Sequence, residues 1–160
     1  MTNEINELIK EVGGMAVQSV PSNDWICIKL IRRRISTYGE FNVLYFGTWG
    51  DEPKQTGMKD KHLPAGKRTH NTLDALRKLM YDQDPPLGAW YTCVMTLSNE
   101  NDFDVKFDYE NKPEWEHQPV EEEYAEDFKQ FPRKSENIPS WLMPILNTFR
   151  EKYLFVFDDL

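Results

Sequence analysis

Apolar residues recur along the chain at two spacings, and the changes between them divide it into helices and strand pairs. Ile5, Leu8, Ile9 and Val12 follow the i, i+3, i+4, i+7 pattern of one helix face, which predicts an amphipathic helix over 3–19. Thr2 or Asn3 can cap it, and Glu4 and Glu7 suit its positive end. Gly13-Gly14 weakens the middle and leaves room for a break, and Val20-Pro21-Ser22-Asn23-Asp24 stops the helix. The spacing then becomes two. Trp25, Cys27, Lys29, Ile31 and Arg33 alternate with Ile26, Ile28, Leu30 and Arg32, a strand over 25–35. Ser36 to Glu40 predicts a hairpin turn with Gly39 available for positive φ, and 41–49 the returning strand, with Phe41, Val43 and Tyr45 on one face. Helical spacing resumes over 70–83, where Leu73, Leu76, Leu79 and Met80 line one side behind an Asn71 or Thr72 cap. Asp84-Pro85-Pro86-Leu87-Gly88 ends that helix.

A second hairpin follows. Over 89–97, Tyr91, Cys93, Met95 and Leu97 alternate with Trp90, Thr92, Val94 and Thr96, so both faces are apolar or β-branched, as in a central strand. Ser98 to Asp102 is a polar turn. Phe103, Val105, Phe107 and Tyr109 then alternate strictly with Asp104, Lys106 and Asp108, which predicts one buried and one solvated face. Pro113 closes the strand region. A short helix is expected over 119–131, with Val120, Tyr124 and Phe128 inward, and a last helix over 139–154 with Trp141, Leu142, Ile145, Leu146 and Phe149 inward. The tail YLFVFDDL is expected to form a terminal strand or an extended segment docked on the core. Residues 50–68, rich in Gly and Pro and locally basic, predict a mobile connection, long enough to hold a short strand or a partner contact. Together these elements predict a single α+β domain over 1–160. Its antiparallel sheet has about four to five strands in two hairpins, packed with N-terminal, middle and C-terminal helices.

Composition adds little to the fold but constrains function. The chain has 160 residues, 39% hydrophobic and 13% aromatic, enough for a real core. The net charge is −8, which argues against a nucleic-acid binder and suits a basic partner. The N-terminus lacks the pattern of a signal peptide, and no apolar run is long enough to span a membrane, so the cytoplasm is the expected location. Cys27 and Cys93 both fall in strands and are expected to be reduced core thiols.

Candidate chemistry is sparse. His62, His70 and His117 are far apart and lack metal-ligand spacing, so no metal or other cofactor is expected. No nucleophile elbow, P-loop or dinucleotide-binding glycine pattern is present. The surface aspartates leave a small metal-dependent hydrolase or nuclease open, and a general adaptor is a third possibility. Neither explains the charge distribution. Residues 100–127 hold twelve acids against two lysines, more negative than the whole chain, interleaved with Tyr109, Trp115 and Tyr124. Aromatics set among charges are common at protein interfaces.

Several segments carry a resemblance: Val20-Pro21-Ser22-Asn23-Asp24-Trp25 after an N-terminal helix, a strand hairpin, a Leu-rich helix before Trp90, and above all Trp90 to Tyr109 with its FDVKFDYE. These resemble the YezG-like family of immunity proteins, which protect bacteria from polymorphic toxins. The family's Arg and Trp helix and Tyr-Leu-Gly close are matched loosely, by Trp141, Arg150 and Tyr153-Leu154. The resemblance implies an antiparallel α+β fold, no catalysis, and stoichiometric binding to a cognate toxin domain, often a nuclease. A nuclease must be basic to hold a phosphate backbone, so an acidic inhibitor is steered onto it. Charge and pattern nominate Asp104, Asp108, Glu110, Glu121, Glu122 and Glu123 as the carboxylates facing it, with Trp115 and Tyr124 as anchors.

Overall fold

The first helix, α1, runs Asn3–Ser19 without interruption, and Thr2 caps it by accepting the Ile5 N–H at 3.4 Å. Ile5, Ile9, Val12, Met15 and Ala16 form its buried face. Gly13 is buried too and faces Phe103 and Leu97, which a Cβ there would meet at an ordinary contact distance of 3.5 and 3.6 Å. A computed structural model describes residues 2–21, 23–56 and 64–157.

Five strands form one sheet in the order β3-β2-β1-β4-β5. They are β1 (Trp25–Ile35), β2 (Tyr38–Gly47), β3 (Gly50–Gln55), β4 (Thr92–Ser98) and β5 (Phe103–Asp108). β1 and β4 run antiparallel: the Arg34 N–H donates to Tyr91 O and the Asn99 N–H to Ile26 O, both at 2.9 Å. Both expected hairpins are present. β3 is the short strand for which the 50–68 connection left room, and it pairs antiparallel with β2 through an irregular register between Tyr45 and Gly47. At that irregularity the Trp49 ring folds over Gly47, where a Cβ would come within 2.0 Å of it. The expected mobile connection and partner contact over 57–63 lie outside the described residues.

The helices after the first are α2 (Pro64–Gln83), α3 (Glu121–Gln130), α4 (Met143–Thr148) and α5 (Arg150–Tyr153). α2 starts six residues earlier than its periodicity suggested, because Pro64 is a favourable first-turn residue. Asn71 and Thr72 are therefore interior, and Thr72 Oγ1 bonds back to Arg68 O at 2.9 Å. The single helix expected over 139–154 is two short ones, with Pro144 in the first turn of α4 and Phe149 non-helical between them. The tail runs on from Leu154 without regular structure and docks Phe155 and Phe157 on the apolar cluster, the extended alternative.

Chain contacts divide the protein into two compact units. Unit 1 comprises Met1–Arg32, Phe41–Arg77 and Cys93–Lys106, and unit 2 comprises Arg33–Glu40, Lys78–Thr92 and Phe107–Leu160. In unit 1, Ile28 and Leu30 of β1, Phe41, Val43 and Tyr45 of β2, Leu73 and Leu76 of α2, and Cys93 and Met95 of β4 are buried with the inner face of α1. Arg32 is buried among them, its Nη2 on Asp74 at 2.6 Å and its Nη1 on His70 Nδ1 at 2.6 Å. Unit 2 gathers Ile35, Tyr91, Tyr124, Ala125, Phe128, Leu142, Ile145, Leu146 and Phe155.

The turn of the first hairpin is shorter than the expected Ser36 to Glu40. It is the two residues Ser36 and Thr37, and Gly39 sits inside β2 without positive φ. Asp127 fixes this turn, its Oδ1 accepting from the Ser36 N–H at 2.7 Å and Ser36 Oγ at 2.8 Å. Arg133 is the other tie of unit 2. It donates to the carbonyls of Ala89, Tyr109 and Asn137 and lies over the Tyr91 ring. Its guanidinium occupies the space a side chain at Gly88 would need, since a Cβ there would lie 2.3 Å from Arg133 Nε, and Gly88 has φ +88°. Gly88→Ala is therefore expected to lower stability by about 1–3 kcal/mol, measured as a shifted midpoint in urea with unchanged slope.

Candidate functional site

The structure sorts the acidic stretch into carboxylates the fold uses and carboxylates it leaves in solvent. Asp108 belongs to the first group. At the end of β5 it accepts from the Glu110 N–H, the Asn111 N–H and Asn111 Nδ2, each at 2.9 Å, which closes the turn leaving the strand. Partial burial pushes its pKa up, but the bonds from Asn111 and Glu110 outweigh this and hold it below the ordinary 3.8. Glu122 is bonded to Lys152 and to Tyr153 Oη, and these partners, Lys152 first, hold its carboxyl below its usual value. Glu123 accepts from the Val120 N–H at 3.0 Å, capping α3, and from Thr37 Oγ1 at 3.0 Å. Asp127 is buried on Ser36.

Glu110, Glu114 and Glu121 form the second group in unit 2. All three side chains are exposed and make no bond among the described residues. Asp104, in unit 1, is likewise exposed on β5. Glu110 contributes to the fold through its backbone, its carbonyl accepting from Trp141 Nε1 at 2.6 Å.

The two anchor candidates part company. Trp115 is half-buried against the unit 2 cluster, with its ring 5.3 Å from that of Tyr38. Tyr124 is fully buried, and its hydroxyl accepts from Trp115 Nε1 at 2.8 Å and Gln118 Nε2 at 3.4 Å. It is a core residue, whereas Trp115 keeps part of its ring in solvent. Val120, expected to face inward, is 68% exposed at the cap of α3. The apolar face of β5 is also less buried than its alternation implied. Val105, Phe107 and Tyr109 are half-buried and Phe103 is 45% exposed, because β5 is an edge strand.

Two residues that sequence did not nominate complete the acidic region of unit 2. Glu40 accepts from the Glu116 N–H at 2.9 Å and the His117 N–H at 3.4 Å, which pins the loop after Pro113 to the start of β2. Beside it Tyr38 is held above its ordinary pKa by burial first, and then by the charges of Glu40, Glu116 and Glu123. The charges of three carboxylates thus act on one phenol, whose ring lies beside that of Trp115. Glu40 lies 60 residues before the acidic run, so nothing in its local sequence pattern pointed here.

Elsewhere, an open apolar groove of about 280 Å³ in unit 1 is lined by Gly13, Gly14, Val17, Leu97 and Phe103, with Lys10 at its edge. Among the described residues no three His, Cys, Asp or Glu side chains are placed to hold a metal ion. No described helix is long and apolar enough to cross a membrane. Fold and surface together define an α+β protein built on an antiparallel sheet, with an acidic region in unit 2. Compared with known protein families and with curated proteins, the sequence matches none.

Both cysteines are free, and burial pushes the Cys93 thiol up to about 12 despite the nearby Arg32 charge. Alkylation of the folded protein at mildly alkaline pH is expected to label Cys27 and to reach Cys93 only after unfolding, read by peptide mass spectrometry. Asp108, with its depressed folded pKa, stabilises the fold above its unfolded pKa, and this contribution is lost as pH falls through the folded value. Its carboxyl carbon should titrate by NMR with a midpoint below 3.8, and Asp108→Asn should flatten the acid limb of the stability profile.

Proposed function

We propose that this protein is an immunity protein of the YezG-like type that binds and neutralises a cognate bacterial toxin domain, without catalysis. The observation carrying this reading is the unit 2 acidic region, where Glu40 is fixed on the Glu116 and His117 N–H groups and Glu123 on Thr37, and where their charges and that of Glu116 act on Tyr38 beside the half-buried Trp115. The resemblance of Trp90 to Tyr109 to that family supports it. Exposed Glu110, Glu114 and Glu121 extend the same charge into solvent. Carboxylates already fixed by backbone bonds, such as Glu40 and Glu123, lose little side-chain freedom when they meet lysines and arginines. A basic partner gains most from such a surface in its rate of encounter, and a nuclease, which must hold phosphate, fits that description. The protein then acts in the cytoplasm, where it shields the cell's own nucleic acid.

The test takes the product of the neighbouring open reading frame as the candidate toxin domain and compares wild type with the variant Glu110→Lys/Glu114→Lys/Glu121→Lys. None of these side chains is bonded among the described residues, so the variant should keep the native circular dichroism spectrum. Its association rate with the toxin is expected to fall by about tenfold or more at low salt, with a flatter salt dependence, measured by stopped-flow fluorescence. An unchanged rate and affinity would remove this surface as the contact.

A further inference from the structure

The sheet has two edges, and they differ. β3 is blunted: all its residues are exposed, Pro53 lacks a backbone donor, and its register with β2 is irregular. β5 carries no proline or glycine and, among the described residues, pairs only with β4. Its sequence from Phe103 to Phe107 is Phe-Asp-Val-Lys-Phe, which reads as its own complement when reversed about Val105.

We propose that β5 is a self-complementary edge through which two copies of this chain pair antiparallel, with Val105 opposite its own counterpart. In that register Asp104 lies opposite Lys106 of the partner subunit, and Lys106 opposite the partner's Asp104. Phe103 lies opposite the partner's Phe107. Directly opposed residues point to the same face of an antiparallel pair, so both ion pairs form on one face and both aromatic pairs on the other. The pairing is isologous, and the two sheets join into one of ten strands.

Exposure agrees with this occupant. Asp104 and Lys106 are exposed without a partner among the described residues, and Phe103 is 45% exposed beside the apolar groove of α1. A lone lysine on an edge strand ordinarily repels a second strand. Here an aspartate two residues away on the same face converts that repulsion into a match in the register about Val105, whereas the register about Phe107 would set Lys106 against Asp108, whose carboxylate already accepts from Glu110 and Asn111. The proposal is independent of toxin binding, and it assigns Asp104 to the self-contact while Glu110, Glu114 and Glu121 remain outside it.

Sedimentation velocity across the micromolar to millimolar range tests the pairing. Wild type is expected to show a reversible monomer–dimer equilibrium. Lys106→Asp places aspartates opposite each other at both pairs, and Asp104→Lys does the same with lysines. Each alone should weaken dimerisation by about tenfold or more. Mixed together, the two variants restore opposite charges at both pairs and should form a heterodimer, and the double exchange Asp104→Lys/Lys106→Asp should recover the homodimer. Native circular dichroism spectra separate lost pairing from lost folding. A wild type that stays monomeric, or a dimer indifferent to both single variants, overturns the proposal. A monomeric wild type whose toxin binding fails in both variants would place a toxin strand at this edge instead, and would also overturn it.

Discussion

A buried charge must be satisfied by its surroundings, and each unit of this protein is organised around groups under that constraint. In unit 2 the Asp127 carboxylate holds the turn of the first hairpin, and the Arg133 guanidinium gathers three carbonyls from separate loops. Removing either partner would leave polar groups buried without compensation, which costs more than the bond itself contributes. A glycine at position 88 follows from this, because the guanidinium takes the place of a side chain. In unit 1 the same logic applies to Arg32, which sits in line with Ile28 and Leu30 and is matched by Asp74 and His70 from one face of α2.

The constraint also decides what the acidic surface can do. Of the twelve acids in 100–127, those nearest the core are engaged in capping a helix, closing a turn or fixing a hairpin. Sequence counts charge but cannot tell a carboxylate that accepts backbone N–H groups from one in solvent. The engaged groups still contribute to the field around Tyr38, since a hydrogen-bonded carboxylate keeps its charge. Unit 2 therefore holds carboxylates fixed by hydrogen bonds and, at Glu110, Glu114 and Glu121, carboxylates exposed to solvent.

What was legible in the sequence depended on how local its cause was. α1 matches its expected bounds because period, cap and stop signal agree within one segment. The α+β class and both hairpins followed from alternation interrupted by turn residues. Where the cause lies far along the chain, local pattern fails. The hairpin turn is tight at Ser36-Thr37 because of Asp127, 91 residues away, and Glu40 joins the acidic region through Glu116, 76 residues away. Tyr124 and Trp115 look alike as aromatics among acids, yet one is fully buried and the other half-buried. Only the packing of α3 against α4 and α5 distinguishes them.

β5 shows how position in a sheet changes the meaning of a pattern. Strict alternation of apolar and charged residues predicts a half-buried strand, and it cannot say whether a second neighbour exists. At an edge, the same alternation leaves Phe103 partly in solvent and a row of backbone groups without a second strand. Proteins usually blunt such a row, as this one does at β3 with Pro53 and an irregular register. A charged residue on β5 would serve the same end if it stood alone. Asp104 and Lys106 together do not, because in the antiparallel register about Val105 each attracts the other's counterpart, while a one-residue slip would oppose charge with apolar side chains. The charges therefore oppose indiscriminate pairing, and the engagement of Asp108 in the turn after the strand leaves Asp104 as the aspartate available to Lys106.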